Sequence, residues 1–151
     1  MEYYINEPYP SIDNLDMNIA YGQILLSNIG GLQCEMNAVS LYFYNHVILE
    51  QLWPELSQAM HKISIVEMHH LEIFAKMCCH LGVDPRLWDC QNDFLEYWSP
   101  GYNVYPRQIN TMLENAIIQD VLNRIIKDEQ LHVQILESFL YEYNHNLQTD
   151  I

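Results

Sequence analysis

The chain has 151 residues, half of them hydrophobic, and carries 20 acidic against 6 basic side chains for a net charge of −14. That length fits one domain around one core, and that charge disfavours nucleic acid or an anionic membrane surface as a partner. No apolar run reaches the roughly 18 residues of a membrane span, and the acidic, aromatic start MEYYINEPYP is unlike a signal peptide, so a cytoplasmic protein is expected.

Residues 1–14, with Pro8, Pro10, Ser11, Asp13 and Asn14, read as an extended N-terminal arm, and residues 15–151 as one helical domain. From about Leu15 to Glu50 the apolar pattern is helical, with Gly30–Gly31 marking a kink or break. Pro54 suits the first turn of a second helix. That helix should run to about Leu81, where Gly82 caps it and Pro85 forbids its resumption. Residues 83–105, with Pro85, Pro100, Gly101 and several aromatics, read as a long crossing connection. After Pro106 neither Gly nor Pro occurs, and Ile109, Leu113, Ala116, Val121, Ile125, Leu136 and Phe139 recur at helical spacing. No strand-like alternation of any length is present. The class is all-α, and an antiparallel helical bundle is the natural way to bury these stripes.

Cys34, Cys78, Cys79 and Cys90 form no CxxC pair, so no zinc ribbon or rubredoxin-type iron site is encoded. Adjacent Cys78 and Cys79 are either a redox pair or, more commonly, small buried hydrophobes.

The stretch SIVEMHHLEIF, residues 64–74, sets acids and histidines inside a core-like run. Glu67 and His70 are three apart and share a helix face with Ile63, Phe74 and Met77. Glu129 and His132 repeat that spacing on a stripe with Ile125 and Leu136. A third pair, Glu142 and His145, lies thirteen residues past Glu129, roughly 220° around a helix, and points elsewhere. A carboxylate and an imidazole facing a core need compensation, which a metal ion supplies. A bundle site of this kind needs an acid from each remaining helix. Glu35, between Leu32 and Val39, and Glu114, between Leu113 and Ile117, are the candidates. Four Glu and two His suffice for two divalent ions, and hard carboxylates with imidazole suit iron or manganese. The other histidines, His46, His61, His69, His80 and His145, read as surface or satisfied groups. Glu50, Glu55, Glu72 and Glu137 read as the solvated exterior.

CEMNA around Glu35, IVEMHH around Glu67 and RIIKDEQLH around Glu129 together resemble the ferritin-like superfamily, in its rubrerythrin and manganese-catalase branch, over about residues 22–140. The resemblance implies Glu35, Glu67, His70, Glu129 and His132 as ligands, with Asp128 as an acceptor that orients a ligand histidine. Tyr42, seven residues after Glu35, shares its face and is either a hydrogen-bond partner of the site or a packing tyrosine. The family implies an oxidoreductase acting on peroxide or dioxygen; a metal-storage protein and a metal-stabilised coat or assembly bundle are the alternatives. The rubredoxin-like domain of rubrerythrins is absent, so any electron donor is external.

One departure concerns the last helices. Only 15 residues separate Glu114 from Glu129; in one straight helix they stand about 22 Å apart, whereas ions of a dinuclear centre are roughly 4 Å apart. A hairpin near Asp120–Asn123 would bring them level, but that stretch lacks Gly and Pro and its apolar stripe continues unbroken, so a turn there is poorly encoded. The expectation is one long helix shared across a swapped or interlocked homodimer, with Glu114 serving the partner's site while Glu129 and His132 serve their own, or the reverse.

Overall fold

The helical run expected from Leu15 to Glu50 is broken at Gly30–Gly31 as the sequence suggests, and its first part is itself two short helices. In the computed structural model, which describes residues 2–91, 94–99 and 114–149, α1 spans Ile19–Leu25, α2 spans Ser27–Gly30 and α3 spans Glu35–Leu49. Asn18 starts α1 by accepting the Tyr21 backbone N–H at 3.1 Å, satisfying a donor that the first helical turn leaves open. The break follows Gly30, with Gly31 and Cys34 both in extended conformation. Gly30 has a steric role there: a Cβ would lie 2.5 Å from the Trp88 backbone nitrogen, so only glycine lets the later connection lie directly on α2.

α4 spans Pro54–His80, with Pro54 in its first turn as the sequence suggests. Its end follows the expected glycine cap. Gly82 has φ 85°, its N–H donates to Cys79 O at 3.1 Å, and Val83 N–H donates to Cys78 O at 2.9 Å. These paired bonds close the last carbonyls of the helix, and they require a left-handed residue.

The connection after Gly82 corrects the expectation of no strands. Trp88–Gln91 (β1) and Phe94–Tyr97 (β2) form an antiparallel hairpin in which Trp88 pairs with Tyr97 and Cys90 with Leu95. Four-residue strands are too short to leave a readable alternation, and every residue of β2 is exposed. The hairpin is anchored by the Trp98 indole N–H, which donates to Asn37 of α3.

α5, Ala116–Thr149, is a single helix of 34 residues, with no turn at 120–123. Asn115 caps it, its side-chain oxygen accepting the Ile117 and Ile118 N–H groups at 3.0 and 3.2 Å. Two apolar clusters organise the bundle. One gathers Leu25, Leu26, Ile29, Phe74, Met77, Leu81, Ile118, Val121, Leu122 and Ile125. The other gathers Tyr42, Ala59, Ile63 and Ile135. α4 runs from the second cluster to the first and α5 runs back, so the two are antiparallel. Residues 67–70 of α4 and 128–132 of α5 fall between the clusters, which makes the site a polar layer inside an apolar bundle.

Candidate metal centre

Three helices deliver the acids and imidazoles. Glu35 is the first residue of α3, where the positive end of the helix dipole favours a carboxylate. α4 supplies Glu67 and His70 one turn apart, and α5 supplies Asp128, Glu129 and His132. One ligand atom each from Glu35, Glu67, His70 and Glu129 lies within 4.8 Å of the others. His70 Nδ1 sits 3.1 Å from Glu67 Oε2, 3.3 Å from Glu129 Oε1 and 3.9 Å from Glu35 Oε2. The second oxygen of Glu67, Oε1, faces His132 Nδ1 at 3.2 Å. Glu67 therefore stands between the two imidazoles, one oxygen toward each.

Glu35, Glu67, His70 and Asp128 have no exposed surface, and His132 has 1%. Glu129 is the open member, its side chain 24% exposed. Burying so many carboxylates together is costly unless positive charge meets them. In the protein His70 takes that part. Burial alone would pull its pKa down, but hydrogen bonds with Asp128, Glu129 and Glu67 and the charge of Glu35 outweigh it and hold the imidazolium well above its ordinary range. His132 Nδ1, buried and 3.2 Å from Glu67 Oε1, is aimed at the same cluster and makes no well-formed hydrogen bond among the described residues. Buried carboxylate oxygens converging on two Nδ1 atoms are a donor set that fits divalent cations, and oxygen with imidazole suits iron or manganese. Glu35, Glu67, His70 and Glu129 would hold one ion. His132 with the other oxygen of Glu67 would face a second.

Each histidine is also held from behind. His70 Nε2 lies 3.2 Å from Asp128 Oδ2 and 3.1 Å from the Tyr9 hydroxyl. His132 Nε2 donates to the Tyr3 backbone carbonyl at 2.8 Å. Asp128 thus stands behind His70, where it can orient that ring. Its carboxyl is held far below the usual carboxylate range: burial pushes it up, but the bonds from His70, the Ile5 N–H, Tyr9 and Arg124 prevail.

Of the residues singled out from the sequence, Glu35, Glu67, His70, Glu129 and His132 come together, with Asp128 behind them. Within one chain Glu114 stands apart, exposed and two residues ahead of α5. Tyr42 is buried in the second apolar cluster, against Ala59, Ile63 and Ile135. His46 bonds to Ser57, and His69, His80 and His145 are exposed. Cys78 is buried and its thiol points to Gly22 O at 3.6 Å, while Cys79 is exposed. Sequence reasoning missed the arm residues Tyr3, Ile5 and Tyr9, and it missed Arg124. The last left a signal: a basic residue four positions before Asp128, on the buried stripe of α5, marks an ion pair at helical spacing, here 2.9 Å between Nη1 and Oδ1.

The fold and the site describe a ferritin-like helical bundle with a cluster of carboxylates and imidazoles at its centre. Solved structures share that fold. Crystal structures of KatB, a manganese catalase from Anabaena, match with TM-scores of 0.68 and 0.54 at 16% and 21% sequence identity. The first match covers 92% of this chain and 81% of KatB, the second 91% and 65%. No family model matches the sequence, and no curated protein does.

Proposed function

We propose that this protein is a dinuclear iron or manganese carboxylate oxidoreductase acting on peroxide or dioxygen. The observation that carries the reading is Glu67, whose two oxygens face His70 Nδ1 and His132 Nδ1 at 3.1 and 3.2 Å inside a buried cluster. A pair of adjacent redox-active ions supplies two electrons and polarises an O–O bond. The chain's own residues do the rest. Glu35, Glu67 and Glu129 set the charge of the site, and the two histidines complete it. Apolar neighbours above and below, Phe74 and Ile63, exclude water. The 24% exposure of Glu129 marks the side from which a small oxidant reaches the centre. Disproportionation of peroxide needs no further reductant; a peroxidase or oxidase would draw on an external electron donor. The manganese-catalase fold of the structural neighbours supports the peroxide reading.

One observation favours a second reading, a metal-binding bundle without redox turnover. Among the described residues His132 Nδ1 is met by a single carboxylate oxygen, so the second position is poorer in donors than the first. Two measurements separate the readings. The protein is loaded with Mn(II) or Fe(II), metal content is determined, and oxygen release and peroxide consumption are followed. Two ions per chain with peroxide consumption support the enzyme; bound metal with peroxide untouched supports the second reading.

The homodimer belongs to the same proposal. Phe43, Tyr44, Val47 and Ile48 on α3 and Val133, Leu140 and Tyr141 on α5 are each 47% exposed or more, apolar surface on two helices that a second copy would cover. Among the described residues no helix is long and apolar enough to cross a membrane; a cytoplasmic location is part of the proposal.

A further inference from the structure

We propose that the N-terminal arm, residues 3–9, is a working part of the metal centre, which fixes the outer nitrogens of both ligand histidines and so couples metal affinity to its own docking. The inference rests on the metal-site reading above. A histidine that binds metal through Nδ1 must carry its proton on Nε2, and an acceptor at Nε2 sets both tautomer and ring orientation. For His132 that acceptor is the Tyr3 carbonyl at 2.8 Å. For His70 it is the pair formed by Asp128 Oδ2 and the Tyr9 hydroxyl, at 3.2 and 3.1 Å. Tyr9 O–H in turn donates to Asp128 Oδ2 at 2.5 Å, and the Ile5 N–H donates to Asp128 Oδ1 at 2.6 Å. The arm therefore holds one histidine directly and the other both directly and through Asp128.

The arm has no helix or strand of its own; α5 and the two apolar clusters hold it in place. Arg124, 4% exposed, donates from Nε to Glu7 O at 2.9 Å and from Nη2 to Ile5 O at 2.5 Å. Its guanidinium lies 4.4 Å from the centre of the Tyr9 ring, and Lys127 pairs with the Glu7 carboxylate at 2.5 Å. Tyr9 packs on the first apolar cluster and Tyr3 on the second, so the arm straps the polar layer from one to the other. Apolar cover alone would need neither the Tyr9 hydroxyl nor the backbone groups that meet His132 and Asp128. Linkage is reciprocal: if docking of the arm raises metal affinity by some factor, metal raises docking by the same factor.

The test uses the full-length chain, stripped of metal and titrated with Mn(II). Tyr9→Phe keeps the ring on Arg124 and removes only the hydroxyl; loss of such an outer contact should weaken Mn(II) about 10- to 100-fold. Arg124→Met, which frees the arm, should weaken it at least as much. Leu52→Ala, off the arm and 82% exposed, should bind as wild type does. In wild-type protein, hydrogen exchange of residues 3–9 should slow on adding Mn(II). If Arg124→Met does not fold, Tyr9→Phe and the exchange measurement decide. Wild-type affinity in Tyr9→Phe, or exchange of the arm unchanged at saturating Mn(II), would overturn the coupling and leave the metal site standing. A wild-type chain that binds neither Mn(II) nor Fe(II) would overturn both.

Discussion

Replacing Glu67 by Gln keeps the volume of the side chain and removes its charge, and the structure predicts opposite effects on the metal-free and metal-loaded protein. Glu67 has one cationic neighbour in the cluster, His70 at 3.1 Å; His132, whose Nε2 donates to the Tyr3 carbonyl, turns the lone pair of Nδ1 to the other oxygen at 3.2 Å and adds no attraction; and two acidic neighbours, Glu35 and Glu129, have ligand atoms within 4.8 Å. At an effective dielectric constant of about 20, the attraction is about 5 kcal/mol and each repulsion at least about 3 kcal/mol. The repulsions together exceed the attraction, so Glu67→Gln should stabilise the chelator-treated protein on the order of 1–2 kcal/mol. For a chain of this size that is roughly 2–8 °C in melting temperature. With Mn(II) the order should reverse. A ligand at 100 times its Kd stabilises by about 2.7 kcal/mol, and the variant lacks the carboxylate that faces both imidazoles. Calorimetric melting of both proteins, with chelator and with Mn(II), provides the four values. A variant that melts below wild type without metal, or that gains as much from Mn(II), would refute the reasoning.

Iodoacetamide at pH 8 should modify Cys79 and spare Cys78, whose thiol burial pushes up to about 12; its neutral form contributes stability that is kept at ordinary pH and lost as pH rises above about 9 toward 12, and peptide mapping reads both sites. Gly30→Ala should destabilise by roughly 1–3 kcal/mol, because the new Cβ meets the Trp88 and Leu87 backbone at 2.5–2.7 Å and the hairpin must shift; urea unfolding measures it. Sedimentation at micromolar concentration should give about twice the 17.9 kDa of one chain, and a metal-loaded monomer would overturn the dimer. In such a dimer, Glu114→Ala with full metal content would remove Glu114 from the site.

Helical class, the long second helix with its glycine cap, and the pairs Glu67–His70 and Glu129–His132 were legible in the sequence. Each depends on spacing within a few residues, and a 3.6-residue period places an acid and a histidine three apart on one face whatever the rest of the chain does. Glu35 was legible only through its motif and its apolar neighbours, since its partners lie on other helices. The hairpin was hidden because two four-residue strands bury too little to pattern their residues. The position of Glu114 depended on where α5 begins, and the Asn115 cap places it outside the helix. The strap across the centre had no local trace at all. Tyr9 meets Asp128 across 119 residues of sequence and Tyr3 meets His132 across 129. Contacts at that separation follow no period; they exist because the two apolar clusters fix α4 and α5 side by side, and only that packing leaves a polar layer for the arm to cross.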